Sequence, residues 1–410
     1  MSQYPRWQTP IVTSALKTRR VVIIAGARQC GKTTVSKSFE MSDTEYRTLD
    51  DKLLLQAAKT DPGEFVKHQS RCMIIDEIQK APELLPAIKK AVDDDNRPGQ
   101  FLLTGSSNIQ ALPGVTESLA GRIRTVSLRP LSQGELRNHQ PNFLEHLFLQ
   151  HPNKLKTEQV TRDEIIEIAL CGGYPEVIPF SQRDRQLWHQ NYIDALLERD
   201  LKDIIHIRRL DAMSQLMHVI SAWSTKPIDI SAIGSGLSLQ RHTVESYFNA
   251  LEALYLIDRI PAYGKTDYAR VGKQSKLIMN DSGLMSSILR LRLDDIRFDA
   301  DRIGKLIETH VGNELQKHIN ATEEQYVLYH YKDREKREID FVIENETGDL
   351  LGIEVKASTS VDLADFKHLR WFKENLKPAR KNFMGIVLYA GNHISSLGDG
   401  MWAIPITALY

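Results

Sequence analysis

At 410 residues, 41% hydrophobic and 26% charged, the chain has ordinary globular composition and enough length for two or three separate cores. Its 53 basic and 53 acidic residues cancel, which excludes a global basic field, so any nucleic-acid contact must come from a local patch. Cys30, Cys72 and Cys171 are scattered in no metal-ligand spacing, Met1–Pro10 lacks an apolar core, and no run approaches the roughly eighteen apolar residues of a membrane span. Those features point to a reducing, cytoplasmic setting with no disulfide framework, signal peptide or membrane partner.

Val21–Ala25 is a continuous apolar run, as expected of a buried parallel strand. It leads into Gly26-Ala27-Arg28-Gln29-Cys30-Gly31-Lys32-Thr33, a complete G-x-x-x-x-G-K-[ST] phosphate-binding loop. The glycines let successive backbone N–H groups turn inward, Lys32 reaches the β- and γ-phosphates, and the Thr33 hydroxyl coordinates Mg²⁺. A helix over Lys32–Phe39 follows, which adds Thr34 to the residues around the nucleotide. The loop predicts ATP and Mg²⁺ as cofactors.

Arg71–Glu77 is a second apolar strand, ending in two acids. Asp76 is expected to hold Mg²⁺, mostly through its waters, and Glu77 to polarise the attacking water as general base. A third strand runs into Thr104, Ser106, Ser107 and Asn108, where a polar sensor of the γ-phosphate would stand; a simple Thr-Gly-Ser-Ser turn is the competing reading. Arg122, after Gly121 and before the run Thr125–Leu128, is a candidate arginine finger with Arg124 as fallback, against the alternative of a surface arginine at a strand edge. A finger role demands a homo-oligomer with shared ATP sites.

The loop, the strand Met73–Glu77, Leu103–Ser107 and Leu119–Arg122 together resemble the AAA-type P-loop ATPases common in bacteria and archaea. More specifically, they are similar to a group of these that carries a C-terminal domain of unknown function. Cys171-Gly-Gly-Tyr-Pro-Glu176 and Leu197-Glu-Arg-Asp200 look like that group's inter-domain segments. The resemblance implies an AAA-like core, oligomerisation and ATP turnover.

Pro141–Lys156 reads as a polar, irregular boundary. Asn191–Arg208 has the apolar spacing of a packed helix and carries Arg199, a second finger candidate, beside Asp200. From Pro227 the pattern becomes helix (Ile228–Ile233), turn (Gly234–Ser238) and helix (Leu239 to Tyr255), with wing strands at Ile257–Pro261 and Lys276–Met279: a winged-helix outline. Gln240, Arg241 and His242 would lead a DNA-reading helix, but Glu245 and Glu252 follow on it. The nearby loop carries Lys265, Arg270, Lys273 and Lys276 around Tyr263 and Tyr268. DNA contact and protein docking both remain open for this module.

Arg337–Glu344 alternates, turns at Asn345–Gly348 and returns through Leu350–Ala357, placing Asp340 on one strand and Glu354 and Lys356 on one face of the next. Two carboxylates can share a Mg²⁺ (or Mn²⁺) ion and activate water while a lysine steadies the phosphate. This arrangement resembles the PD-(D/E)XK nucleases. On the preceding helix Glu314 falls within the apolar face of Ile303, Ile307, Val311 and Leu315, so it is the expected third metal ligand, with Glu308 at the face's edge as substitute. Lys367, His368, Arg370, Lys373, Lys377, Arg380 and Lys381 with Trp371 and Phe372 form a basic-aromatic cluster suited to a phosphate backbone, or else a solvated helix face.

The expected fold is α/β: a P-loop AAA-like core over 1–140, a helical lid over 141–225, a winged-helix module over 226–295, and a restriction-endonuclease-like α/β domain over 296–410. Two functions compete. One is an ATPase coupled to a metal-dependent nuclease acting on DNA or RNA. The other is an ATP-driven signalling or assembly switch whose later domains only bind protein or DNA.

Overall fold

The computed structural model describes residues 4–106, 119, 121–201, 210–264, 273–375 and 382–410. The chain divides into two units, Met1–Leu131 with Ala253–Tyr255, and Ser132–Glu252 with Leu256–Tyr410.

The first unit is organised by a five-stranded sheet of β1 (Val21–Ala25), β2 (Thr44–Thr48), β3 (Cys72–Asp76), β4 (Phe101–Gly105) and β5 (Ile123–Ser127), in the order β2-β3-β4-β1-β5. Every neighbouring pair is parallel. Parallel strands need crossover connections, and here helices such as Lys52–Thr60 and Leu84–Asp94 supply them. Every residue of β1, β3 and β4 is buried, so these strands are apolar throughout, whereas edge strand β2 is half-exposed and polar. Met73, Ile75, Leu84, Ile88, Phe101 and Leu103 pack one face of the core, each side chain contributing about 1.5–3 kcal/mol. Because β4 lies between β1 and β3, the ends of all three strands converge at one edge of the sheet.

The second unit contains the helices from residue 133 onward, a ribbon of β6 (Ile257–Ile260) and β7 (Lys276–Met279), and a six-stranded sheet. That sheet uses β8 (Val327–Lys332), β9 (Glu338–Glu344), β10 (Leu350–Lys356), β11 (Phe383–Tyr389), β12 (Ser395–Ser396) and β13 (Met401–Pro405), ordered β12-β13-β11-β10-β9-β8. β8, β9 and β10 pair antiparallel, while β10 with β11 and β11 with β13 are parallel. The helix Ala300–Asn320, capped by the Asp299 carboxylate accepting from the Arg302 N–H at 3.1 Å, packs on this sheet.

The region expected to be irregular over Pro141–Lys156 instead holds a short helix, Phe143–Phe148, because Phe143, Leu144 and Leu147 are buried. The helix Gln182–Ala195 continues into a π-turn at Leu196–Asp200; the side chains of Arg199 and Asp200 lie outside the described ones. Helices Ile230–Gly236 and Arg241–Ala253 and the antiparallel β6–β7 ribbon form where short helices and paired strands were expected. Cys171-Gly-Gly-Tyr-Pro-Glu176 has a packing role. A Cβ on Gly172 would stand 2.2 Å from Asp281 Oδ1, the Gly173 N–H donates to Asp281 Oδ2 at 2.7 Å, and Tyr174 is fully buried. Among the described residues, no helix is long and apolar enough to cross a membrane.

Candidate nucleotide site and the C-terminal acidic cluster

The phosphate-binding loop leaves β1 at the edge where β3 and β4 also end. Gly26 approaches the neighbouring chain so closely that a Cβ would stand 1.9 Å from the Leu128 carbonyl oxygen, and Gly31 has φ +102°, a conformation side chains resist. Lys32 opens the next helix and is buried, its Nζ donating to the carbonyls of Gly26 at 3.1 Å and Ala27 at 2.9 Å. Cys30 is also buried, with its Sγ 3.3 Å from the Leu128 carbonyl oxygen. Arg28 is half-buried, Thr34 is exposed, and exposed Gln29 has positive φ.

Asp76, at the end of β3, is the hub. It is 2% exposed, yet its carboxylate accepts the Thr33 hydroxyl at 3.0 and 3.2 Å, the Tyr46 hydroxyl at 3.0 Å, and the Thr104 hydroxyl. Burial and the Asp76 charge hold the Tyr46 phenol far above its ordinary pKa, so it stays a donor. Thr104 in turn accepts the Glu77 backbone N–H at 3.0 Å, which ties the second acid to the end of β4. Glu77 itself sits at φ +61°, uncommon for a residue with a side chain and a kind of strain that concentrates at functional sites. The Gln79 amide donates to Glu77 Oε2 and to Ser106 Oγ (2.8 Å), while its oxygen accepts the Ser106 N–H at 3.4 Å.

These residues suit a magnesium–nucleoside triphosphate. Thr33 hydroxyl and Asp76 carboxylate already converge, and an oxygen pair of this kind is what a hard cation takes alongside phosphate and water. When bound, Mg²⁺ offsets charge on the phosphates and stabilises the leaving group. The chain itself brings to this edge a lysine beside the loop, the Glu77 carboxylate, and the Gln79 amide that fixes that carboxylate's direction.

The sequence brought Lys32, Thr33, Asp76, Glu77, Thr104 and Ser106 to notice. It did not single out Gln79, Tyr46 or Arg6. Arg6 spans the loop's base, donating to the Cys30 carbonyl and the Arg129 carbonyl, both at 2.6 Å. Ser107 and Asn108 lie outside the described residues. Arg122 stands just before β5, whose Ile123 pairs with Val21 at the start of β1, and donates to both Asp93 oxygens at 2.5 and 3.0 Å. It is thus separated from its own loop by the length of β1, roughly 16 Å, and cannot serve its own chain's site. Arg124 lies on the same half-exposed strand.

In the second unit, β9 and β10 pair antiparallel with Phe341 opposite Ile353, a register whose next step sets Asp340 against Glu354. The Val355 N–H donates to Asp340 Oδ2 at 2.8 Å. Glu314 does not join them. Fully buried, it accepts from Lys317 Nζ at 2.8 Å and from the Gln133 N–H at 2.9 Å. The acid drawn to the strands is Glu308, together with a residue from β7: Lys276 Nζ lies 2.7 Å from Glu308 Oε1, 3.1 Å from the Asp340 carbonyl oxygen and 3.7 Å from Asp340 Oδ1. Lys356 points to the rim, 3.6 Å from Asp365 Oδ1. Among the described residues no three His, Cys, Asp or Glu side chains are disposed to hold a metal ion, so the expected set Glu314, Asp340 and Glu354 is not assembled.

Glu354 is 9% exposed, and its Oε1 is buried without a hydrogen-bond partner among the described residues. Burial first, then the Asp340 charge, drive its carboxyl well above the usual range, against the pull of Lys356 and Lys276. A carboxyl raised on folding gives stability that is full below its unfolded pKa and lost as pH rises through the folded one. Glu354→Gln is therefore expected to stabilise the protein by about 1–2 kcal/mol at pH 7.5, with the gain fading towards pH 4.5. Denaturant melts at the two pH values check this; a destabilised variant at pH 7.5 contradicts it.

Several of the described residues of the basic-aromatic cluster are engaged within their own unit. Arg337 stacks 3.6 Å over the Trp371 ring, Lys373 donates to the Asp399 carbonyl at 2.6 Å and Arg370 to that of Leu397 at 3.3 Å. Arg241, on the candidate reading helix, pairs with Glu245 at 2.8 Å. Lys265, Arg270, Tyr268, Lys377, Arg380 and Lys381 lie outside the described residues.

A family model described as an AAA domain matches residues 18–137. Models described as domains of unknown function, DUF8612 and DUF4143, match residues 162–295 and 303–409. Uncharacterised proteins of Mycobacterium tuberculosis and Mycobacterium bovis are 25% identical over 397 residues, covering 95% of this chain and 81% of each relative. Among solved structures, AMPPCP-bound DnaA from Aquifex aeolicus (13% identity, 59% of this chain and 86% of that one) and RuvB of Thermotoga maritima (18%, 62% and 88%) both align at a TM-score of 0.29. Superpositions this loose say nothing of activity or partners. The AAA-domain match covers the stretch that carries this loop and this strand order, so the N-terminal segment is similar to AAA domains.

Proposed function

We propose that the chain binds Mg²⁺–ATP at Gly26–Thr34 and hydrolyses it with Glu77 as general base, and that turnover operates the rest of the chain as a switch. The observation that carries this reading is the linked set Thr33–Asp76–Thr104–Glu77, in which the metal-side and water-side acids are tied to one another through a single buried threonine. Lys32 neutralises phosphate charge. Asp76 holds Mg²⁺ with Thr33, and Thr104 with Ser106 stands where the γ-phosphate is sensed.

Arg122 serves as a finger only across a subunit boundary, so the active form in this reading is a homo-oligomer. Turnover per chain should then rise with protein concentration, and Arg122→Ala should abolish that rise and lower kcat by roughly 10³-fold or more. A rate per chain independent of concentration in both proteins removes Arg122 from the mechanism.

For the second unit, two specific observations favour binding without cleavage: an ammonium group sits among the acids, and among the described residues no three acids stand in a metal-holding geometry. We read the winged-helix-like segment and the nuclease-like sheet as modules that hold DNA or protein, moved by the ATPase. Incubation of the full chain with plasmid, single-stranded DNA and RNA, in Mg²⁺ or Mn²⁺ with and without ATP, tests this. Intact substrates are expected; cleavage that Lys356→Ala abolishes would restore the nuclease reading.

A further inference from the structure

Lys276 is the most unusual residue of the second unit. It lies on β7, far in sequence from the acids it meets, and its side chain is 0% exposed. An ammonium group in such a place must be fully compensated. Glu308 and the Asp340 carbonyl accept from it, and the Phe341 ring lies under the ammonium at 5.2 Å from its centroid. Burial alone would drive the amine's pKa down, but Glu308 and Asp340 overcome that and hold it above the ordinary lysine value. Glu354, whose Oε1 is buried and without a hydrogen-bond partner among the described residues, completes the ring of acids that feel this charge.

A divalent ion and an ammonium group cannot both occupy such a pocket. Each needs the same carboxylate oxygens, and unit-for-unit repulsion at a few ångströms is large in a buried site. We propose that the Lys276 ammonium is the resident cation of the Glu308–Asp340–Glu354 cluster and stands in place of the divalent metal, so that the nuclease-like site is closed to metal while β7 holds Lys276 in it. This rests on the binding-module reading of the second unit. It also gives the β6–β7 ribbon a purpose, since the residue that fills the acidic site is carried on it.

The test is Mn²⁺ binding to the full chain without nucleotide, followed by electron paramagnetic resonance. The wild type and Asp340→Asn/Glu354→Gln should titrate identically, because neither offers the cluster to metal. Lys276→Gln should gain a site at least about tenfold tighter than any in the wild type, since one positive charge has left the carboxylates, and adding Glu354→Gln should remove it. If Lys276→Gln does not fold unaided, its refolding yield is read against Mn²⁺ instead: a metal-dependent yield supports the proposal and a flat one overturns it. Mn²⁺ bound by the wild type and lost in Asp340→Asn/Glu354→Gln overturns it directly, as does a folded Lys276→Gln with no gain. Metal-dependent plasmid cleavage by the wild type would sink both this inference and the binding-module reading, whereas cleavage acquired only by Lys276→Gln would uphold the lysine's role while correcting that reading.

Discussion

Glu77→Gln is expected to bind Mg²⁺–ATP as tightly as the wild type and to turn it over about 10²–10⁴-fold more slowly. The geometry supports so clean a separation. Glu77 touches neither Lys32 nor Thr33 in the contacts that build the loop; its backbone hangs from Thr104 and its carboxylate from Gln79. An amide at this position keeps the shape and the Gln79 neighbour but cannot take a proton from water. Gln79→Ala should show a milder form of the same defect, because the carboxylate survives but loses the partner that directs it. Tight nucleotide binding with rapid phosphate release in Glu77→Gln would mean that the base lies elsewhere.

Acidification should unfold the second unit well before carboxylate titration is complete. His189, His310, His318 and His330 are all buried there, and burial pushes each imidazole down to about 4. His310 Nε2 meets the Tyr410 hydroxyl and His318 Nε2 the Leu409 carbonyl oxygen, each at 3.0 Å, in the packing around the helix Ala300–Asn320. The unfolded chain protonates near pH 6.5, the folded one only near 4, so the unfolded state binds more protons throughout that window. Stability is therefore full above about pH 6.5 and falls as pH drops, by roughly 1.4 kcal/mol per unit for each histidine. Four together would remove about 11 kcal/mol by pH 4.5, offset in part by the raised carboxyls of Glu308 and Glu354, a loss comparable with a typical domain stability of about 5–15 kcal/mol. Denaturant melts from pH 8 to pH 4.5 read this as a steep fall below pH 6.5; a flat profile to pH 5 would contradict it.

The nucleotide half of the molecule was legible in the sequence because its signals are local. Buried parallel strands must be continuously apolar, so Val21–Ala25 and Met73–Ile75 announce themselves, and the loop's glycines and lysine follow at fixed spacing. Gln79 escaped notice because nothing in Asp76-Glu-Ile-Gln79 says that the positive φ at Glu77 folds the amide back onto the carboxylate. The acidic cluster was half legible. Alternation put Asp340 and Glu354 on adjoining strands, as their register requires.

The helix acid was misread for a physical reason. A single apolar stripe identifies the inward face only on a helix with one buried side, and Ala300–Asn320 is buried nearly all round, including Thr309, Asn313, Lys317 and His318. Glu314 is compensated one turn away by Lys317, while Glu308 turns towards the strands. Lys276 could not be foreseen. In sequence it reads with Lys265, Arg270 and Lys273 as part of a basic loop, and only tertiary packing brings it to acids 32 and 64 residues later.

Phosphate release from Mg²⁺–ATP, measured on the full chain beside Lys32→Ala, decides whether Gly26–Thr33, Asp76 and Glu77 form a working ATPase site. The wild type should release many phosphates per chain and Lys32→Ala should neither bind ATP nor release phosphate above background. A wild type no faster than Lys32→Ala, across a range of protein concentrations, would contradict the account.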